Sequence, residues 1–191
     1  MLSTVVTKTF LDRWKSEVIG ALILVLLFLM GMSVYKDIDL AVYTDLPEVF
    51  RSLMSIPADA DVGALAYGAI YASYGALTIA SFALSMGSAS IAGEEKNGTM
   101  GLLLGNPKSR THILVAKAAN VVLLTAIGCL LLWLGGIVVP ALLNVDITGI
   151  HVGALTLHIF MIAVFHGFLA LAVGAWTGKG SLASGVTIAV M

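Results

Sequence analysis

Few side chains in this chain of 191 residues have the type and spacing to do chemistry. His151, His158 and His166 fall within a limited arc of one helix by 3.6-residue periodicity. Ionisable groups inside an apolar segment call for a functional explanation. Paired metal ligands on a helix favour the i, i+4 spacing, however, and these intervals are seven and eight. No Cys or acid lies beside them in sequence, so interhelical hydrogen bonding is the main reading, with a metal or proton-transfer role the alternative. The one cysteine, Cys129, lies in an apolar run and can form no intrachain disulfide. "GAWTGKGS", residues 174–181, looks superficially like a phosphate-cradling loop. It is one residue short of G-x-x-x-x-G-K-[ST], and Gly180 stands where Ser or Thr is required. No G-x-S-x-G, no H-E-x-x-H and no paired intramembrane carboxylates occur, so an intramembrane enzyme finds no support. No catalytic, cofactor-binding or metal-binding residues are assigned.

The remaining concentration of reactive groups is "GEEKNGTMGLLLGNPKSR", residues 93–110, which holds the adjacent Glu94 and Glu95 and three of the ten basic residues. Composition explains why this stretch stands out. The chain is 59% hydrophobic and 11% charged, with a mean hydropathy of +1.02. A soluble domain carries about 25% charged residues and could not hide so much apolar surface. The fold class is therefore an all-α, polytopic membrane helix bundle embedded in the lipid bilayer. The net charge of −1 provides no basic field to recruit nucleic acid.

A crossing helix needs about 20 apolar residues. Uncharged runs predict spans at about 18–34, 63–92, 118–143 and 150–177, and the start of a fifth at 181–191, too short to cross. The chain reads as ending inside a helix. The second run is longer than one crossing requires, so part of it should project beyond the lipid. "VIGALILVLLFLMGMSV" exceeds the apolar region of a secretory signal, and "SVYKD" after it is a poor cleavage site, so the first span is retained. Lys8, Arg13 and Lys15 precede it. The next loop, 35–61, has two bases against six acids. Loop 93–117 carries Lys96, Lys108, Arg110 and Lys117, the loop around Asp146 has no Lys or Arg, and the last has Lys179. This alternation places the N-terminus and the 93–117 loop in the cytosol.

Asn106 followed by Pro107 predicts a helix start near Pro107, running into the third span. Asp45 and Pro47 predict a short amphipathic helix in "TDLPEVFRSLM". Gly68, Ala72, Ala76 and Ala80, with Ser81 and Ser85 on a neighbouring stripe, predict a close-packed helix face; a substrate groove is the alternative. Gly149-x-x-x-Gly153 and Gly174-x-x-x-Gly178 are weaker forms of the same signal. Tyr67, Tyr71 and Tyr74 predict an interfacial aromatic belt, with lining for an amphipathic substrate the alternative. The apolar residues of loop 93–105 fit a short helix, either lying on the membrane surface or presented to a cytosolic partner.

"GEEKNGTMGLLLGNPKSRTHILVAKAANVVL" resembles the signature region of the ABC-2 type permeases, the membrane subunits of ATP-binding-cassette transporters. The resemblance rests on Glu94, Gly98–Thr99, Leu102–Leu104, Pro107, Ser109, Arg110 and Lys117. Asn106 and Lys108 depart from the pattern, where apolar residues are more usual. "TKTFLDRWKSEVIG" resembles the family's interfacial elbow helix, which assigns residues 1–17 to that element and 18–191 to the transmembrane domain. "DLPEVFRSL" resembles the external segment of the subgroup whose ATPase is a separate chain, and "GAWTGKGSLASGV" resembles its fourth-to-fifth helix turn. The resemblance implies six spans in the complete protein, in the plasma (cytoplasmic) membrane. It implies export driven by a separate ABC ATP-binding subunit that holds ATP and Mg, and a second permease subunit, identical or related. Residues 93–105 would be a coupling helix docking on the ATPase. The coupling residues would be Glu94, Glu95, Gly98, Thr99, Leu102, Leu103, Pro107, Ser109 and Arg110. Glu94 could pair with a base on the ATPase, cap the short helix or neutralise Lys96. The competing function is a non-catalytic anchoring or assembly subunit of a membrane complex.

Overall fold

The computed structural model describes residues 2–37, 39, 41–53, 61–96, 98, 101 and 109–191. These residues form α1 (Leu2–Asp37), α2 (Ala41–Thr44), α3 (Glu48–Leu53), α4 (Val62–Ala66), a π-helical stretch (Tyr67–Tyr74), α5 (Gly75–Lys96), α6 (Arg110–Leu143), α7 (Val152–Thr177) and α8 (Gly180–Val190). Four helical segments are long and apolar enough to cross a membrane: Val6–Asp37, Val62–Glu95, Thr111–Leu143 and Val152–Thr177. α8, at 11 residues, is not. The apolar side chains divide as a bilayer requires. On α1, Ala21, Leu24, Phe28 and Met32 are buried, while Ile23, Leu26 and Met30 face outward.

Two expected boundaries are corrected. The elbow segment is not a separate element: residues 2–17 continue without a break into the first span as one helix of 36 residues. No Pro lies between Lys8 and Val34 to turn the chain. The third span starts at Arg110, not near Pro107. Ser109 has an extended backbone, and its hydroxyl accepts from the His112 N–H at 3.2 Å. A serine here satisfies one of the orphan donors of the first turn, so the helix needs no earlier cap. Between the first two spans the short helix forms at Glu48–Leu53, where the Pro47 carbonyl accepts from the Phe50 and Arg51 N–H groups at 2.9 and 3.1 Å.

α5 packs most extensively against α7, and α1 against α6. The α5–α7 contact closes on glycines. A Cβ on Gly87 would collide with the Gly167 carbonyl, and one on Gly167 would lie 3.2 Å from Ala83 of α5. Small residues permit this approach where lipid offers no hydrophobic drive for association. The packing face of α5 therefore runs through Ala80, Ala83 and Gly87. Of the predicted stripe, Ala80 is buried, Ala72 and Ala76 are half-buried, and Gly68, Ser81 and Ser85 are exposed. The π-helical stretch explains part of the difference. Its i→i+5 bonding widens the turn, so a four-residue rhythm read on α-helical geometry drifts off the face across Tyr67–Tyr74. Gly149 and Gly178 also depart from the packing reading. Their φ values, 90° and 67°, place them in turns that favour glycine.

The predicted aromatic belt is corrected in the same region. Tyr74 is exposed, but Tyr67 and Tyr71 are buried and packed on Phe28 with ring centroids 5.0 and 5.2 Å away. Their hydroxyls have work inside the bundle. Pro140 lies inside α6 and has no N–H, so the Gly136 carbonyl loses its intrahelical donor. The Tyr67 hydroxyl donates to that carbonyl. Tyr71 donates to Leu132 O at 3.1 Å and lies 2.6 Å from the Thr156 hydroxyl. In a bilayer core, with no water to serve a bare carbonyl, neighbouring side chains must do so.

At the far end of the bundle, Lys36 donates to the Leu143 carbonyl at 2.7 Å, tying α1 to the C-terminus of α6. Asn144 turns the chain in the left-handed region. Beyond it, the Thr148 hydroxyl and backbone N–H donate to Asp146 at 2.6 and 2.9 Å and hold its carboxyl below the usual carboxylate range.

Tyr67→Phe should destabilise the bundle by about 1–3 kcal/mol, because it leaves a buried carbonyl unsatisfied. In a Pro140→Ala background, where the backbone N–H is restored, the same change should cost clearly less. Reversible unfolding in mixed detergent micelles reads both values.

Candidate coupling site at the charged end of the bundle

Helix α5 ends, and α6 begins, at the end of the bundle that carries Lys8, Arg13 and Lys15 of α1. Glu94, in the last turn of α5, meets Lys117 of α6 at 3.0 Å. The Lys117 side chain is 6% exposed and the Glu94 side chain 25%, so the pair is largely removed from water. The lysine stem extends from the second turn of α6, after the Ser109 cap has fixed where that helix begins. One turn deeper, Asn120 donates to Ala116 O at 3.3 Å. Loop residues 97–108 therefore connect two helices whose side chains are already joined.

The adjacent glutamate serves a different neighbour. A Cβ on Gly178 would collide with the Glu95 carboxylate, which places that carboxylate over the turn between α7 and α8. One pair of consecutive acids thus touches α6 on one side and the α7–α8 turn on the other. Beyond α5, Gly98 adopts φ +68° and its N–H donates to Glu95 O at 3.1 Å, a left-handed ending that favours glycine. A Cβ at Gly98 or Gly101 would meet nothing within 4 Å. Of the other expected coupling residues, Ser109 is the cap and Arg110 opens α6, whereas Thr99, Leu102, Leu103 and Pro107 lie outside the described residues.

A cavity of about 460 Å3 opens beside the ion pair, between the N-terminal part of α1, the end of α5 and the start of α6. Lys8, Asp12 and Arg13 contribute its α1 wall. Sequence reading had assigned these residues to an interfacial helix and gave them no site. A partial signal is present in the i, i+4 spacings of Lys8 with Asp12 and of Arg13 with Glu17. Glu17 lies one turn beyond Arg13 and is 3% exposed. Its carboxylate lies 3.8 Å from where a Gly128 Cβ would stand. Because Glu17 immediately precedes an apolar run, sequence alone placed it at the surface; the long α1 helix carries it into the bundle.

The three histidines do not form a common site. His151 is exposed at the start of α7. His158 is exposed and lies 3.0 Å from Ala154 O, and buried His166 lies 2.7 Å from Ile162 O. Both of these bonds run back along the same helix to the i−4 carbonyl, not between helices as expected. Among the described residues no three His, Cys, Asp or Glu side chains converge.

The family model described as ABC-2 family transporter protein matches residues 3–191. The chain belongs to this family. No curated protein and no solved structure matches it. As an ABC-2 permease it is a multi-pass membrane protein of the plasma membrane and a transport component, and its family implies an ABC ATP-binding partner. In this ABC-2 chain the ends of the loop that follows the second span are joined by Glu94 and Lys117.

Glu94→Gln and Lys117→Gln should each destabilise the protein by about 1–3 kcal/mol, since each leaves a partly buried charge without its partner. The double variant should cost less than the sum of the two, and the exchange Glu94→Lys with Lys117→Glu should recover part of the loss. Thermal unfolding of the native protein and these four variants in one detergent measures the coupling.

Proposed function

We propose that this chain is the membrane half of an exporter, driven by a separate ATP-binding subunit whose motion enters through residues 93–117. The observation that carries the reading is the Glu94–Lys117 ion pair, which joins the two helices flanking that loop. A rigid-body displacement of a soluble partner can act on a membrane bundle only through a connection stiffer than a free loop. With α5 and α6 joined by a largely buried ion pair, a push on the loop acts on both helices together. Glu95 extends the same connection to the α7–α8 turn. ATP and Mg would sit on the partner, and a second permease subunit, identical or related, would complete the transporter. Two such halves moving against each other would alternate between inward- and outward-facing arrangements or open a lateral path for a lipid-like substrate.

The test is co-purification from mild detergent of the full protein, native against a Glu94→Ala, Gly98→Pro double variant, with the eluate assayed for ATP hydrolysis. The native chain should retain an ATP-hydrolysing partner. The variant should lose most of it while remaining monodisperse by size-exclusion chromatography. Equal retention by both proteins would show that the coupling element lies elsewhere. Failure of the native chain to capture any ATPase after crosslinking would replace this reading with that of an anchoring subunit.

A further inference from the structure

The cavity between α1, α5 and α6 has a chemistry that coupling does not use. Its charged lining is Lys8, Arg13 and Lys117 against Asp12 and Glu94, three cations to two carboxylates. Lys117 is engaged by Glu94. Among the described residues Lys8 and Arg13 form no ion pair, although the Arg13 charge acts on the buried Glu17 carboxylate. Asn120 supplies a second observation. It is 2% exposed, lines the cavity and gives its Nδ2 to Ala116 O, while its Oδ1 is buried with no hydrogen-bond partner among the described residues. A buried acceptor left bare is costly, and such atoms in native proteins generally meet a donor. Deeper in the cavity the lining becomes apolar, with Val121 and Leu124. A guanidinium and an ammonium near the mouth, an unpaired acceptor further in and an apolar wall beneath describe one kind of molecule.

We propose that this cavity binds the phosphate-bearing headgroup of a membrane lipid. The phosphate sits between Lys8 and Arg13, where charge-assisted hydrogen bonds are strongest. A hydroxyl or ammonium group of the headgroup donates to Asn120 Oδ1. The acyl chains leave along the apolar lining toward the bilayer. The basic residues clustered at this end of the bundle suit the anionic leaflet of a membrane. The proposal does not depend on export or on the ATPase.

Native mass spectrometry of the full protein in mild detergent tests it, with phosphatidylglycerol, phosphatidylcholine and diacylglycerol as probes. Phosphatidylglycerol should be retained by the native protein, and diacylglycerol should not. A Lys8→Gln, Arg13→Gln double variant should hold phosphatidylglycerol about tenfold or more weakly, as expected for the loss of charge-assisted hydrogen bonds. Lys179→Gln, which does not line the cavity, should change nothing. Asn120→Leu should weaken phosphatidylglycerol, whose headgroup has hydroxyl donors, more than phosphatidylcholine, whose headgroup has none. Lys8 is exposed and Arg13 half-buried, so the double variant should fold, and its thermal unfolding checks this. Millimolar inorganic phosphate distinguishes the sources: displacement of the lipid assigns the site to phosphate as such, and persistence assigns it to the whole lipid. Equal retention by the native and Lys8, Arg13 variant proteins, or equal retention of diacylglycerol, would overturn the proposal.

Discussion

Gly87 and Gly167 let α5 and α7 approach until backbone nearly touches backbone, and the geometry of the bundle follows from that contact. Inside a bilayer, apolar side chains gain little by leaving lipid for protein, so helices are held by close packing and by hydrogen bonds. With α5 seated on α7, its last turn is fixed in position. Glu94 can then meet Lys117 on α6, and Glu95 can lie over the α7–α8 turn. A larger residue at either glycine would separate the two helices and move both carboxylates away from their neighbours.

Polar satisfaction is the second organising constraint, and it links distant parts of the chain. Pro140 removes a donor from α6, and the replacement comes from Tyr67, which the π-helical stretch turns inward beside Tyr71. At the far end, Lys36 serves a terminal carbonyl of α6. These bonds join the second and first spans to the third at points where the helical pattern of α6 cannot satisfy itself. The same requirement makes the bare Oδ1 of Asn120 informative, because most other buried groups in the bundle have partners.

The sequence was most legible where one property dominated a long segment. Uncharged runs located the four long helices, and the residues from Glu94 to Lys117 carried the family resemblance that the match over residues 3–191 bears out. Local competition was harder to read. Asn106 and Ser109 are both good caps, and nothing nearby in sequence says that Ser109 opens the helix. Tyr67 and Tyr71 have the amphipathic character of interfacial residues; the carbonyl freed by a proline 73 positions later accounts for the burial of Tyr67, and Leu132 O with the Thr156 hydroxyl for that of Tyr71. Glu17 and the α1 wall of the cavity were missed for a related reason. Their surroundings come from α5 and α6, and a rule that starts a span at the first uncharged residue places them outside it.

The unbroken α1 has a mechanical consequence. At about 1.5 Å per residue its 36 residues span about 54 Å, so a tilt of about 10° displaces one tip by about 9 Å relative to the other. Lys8 and Arg13 stand near one tip and Lys36 at the other. Whatever rocks the cavity wall therefore also pulls on the Leu143 carbonyl across the membrane. A single strut, without a hinge, makes the two faces of the protein sense each other.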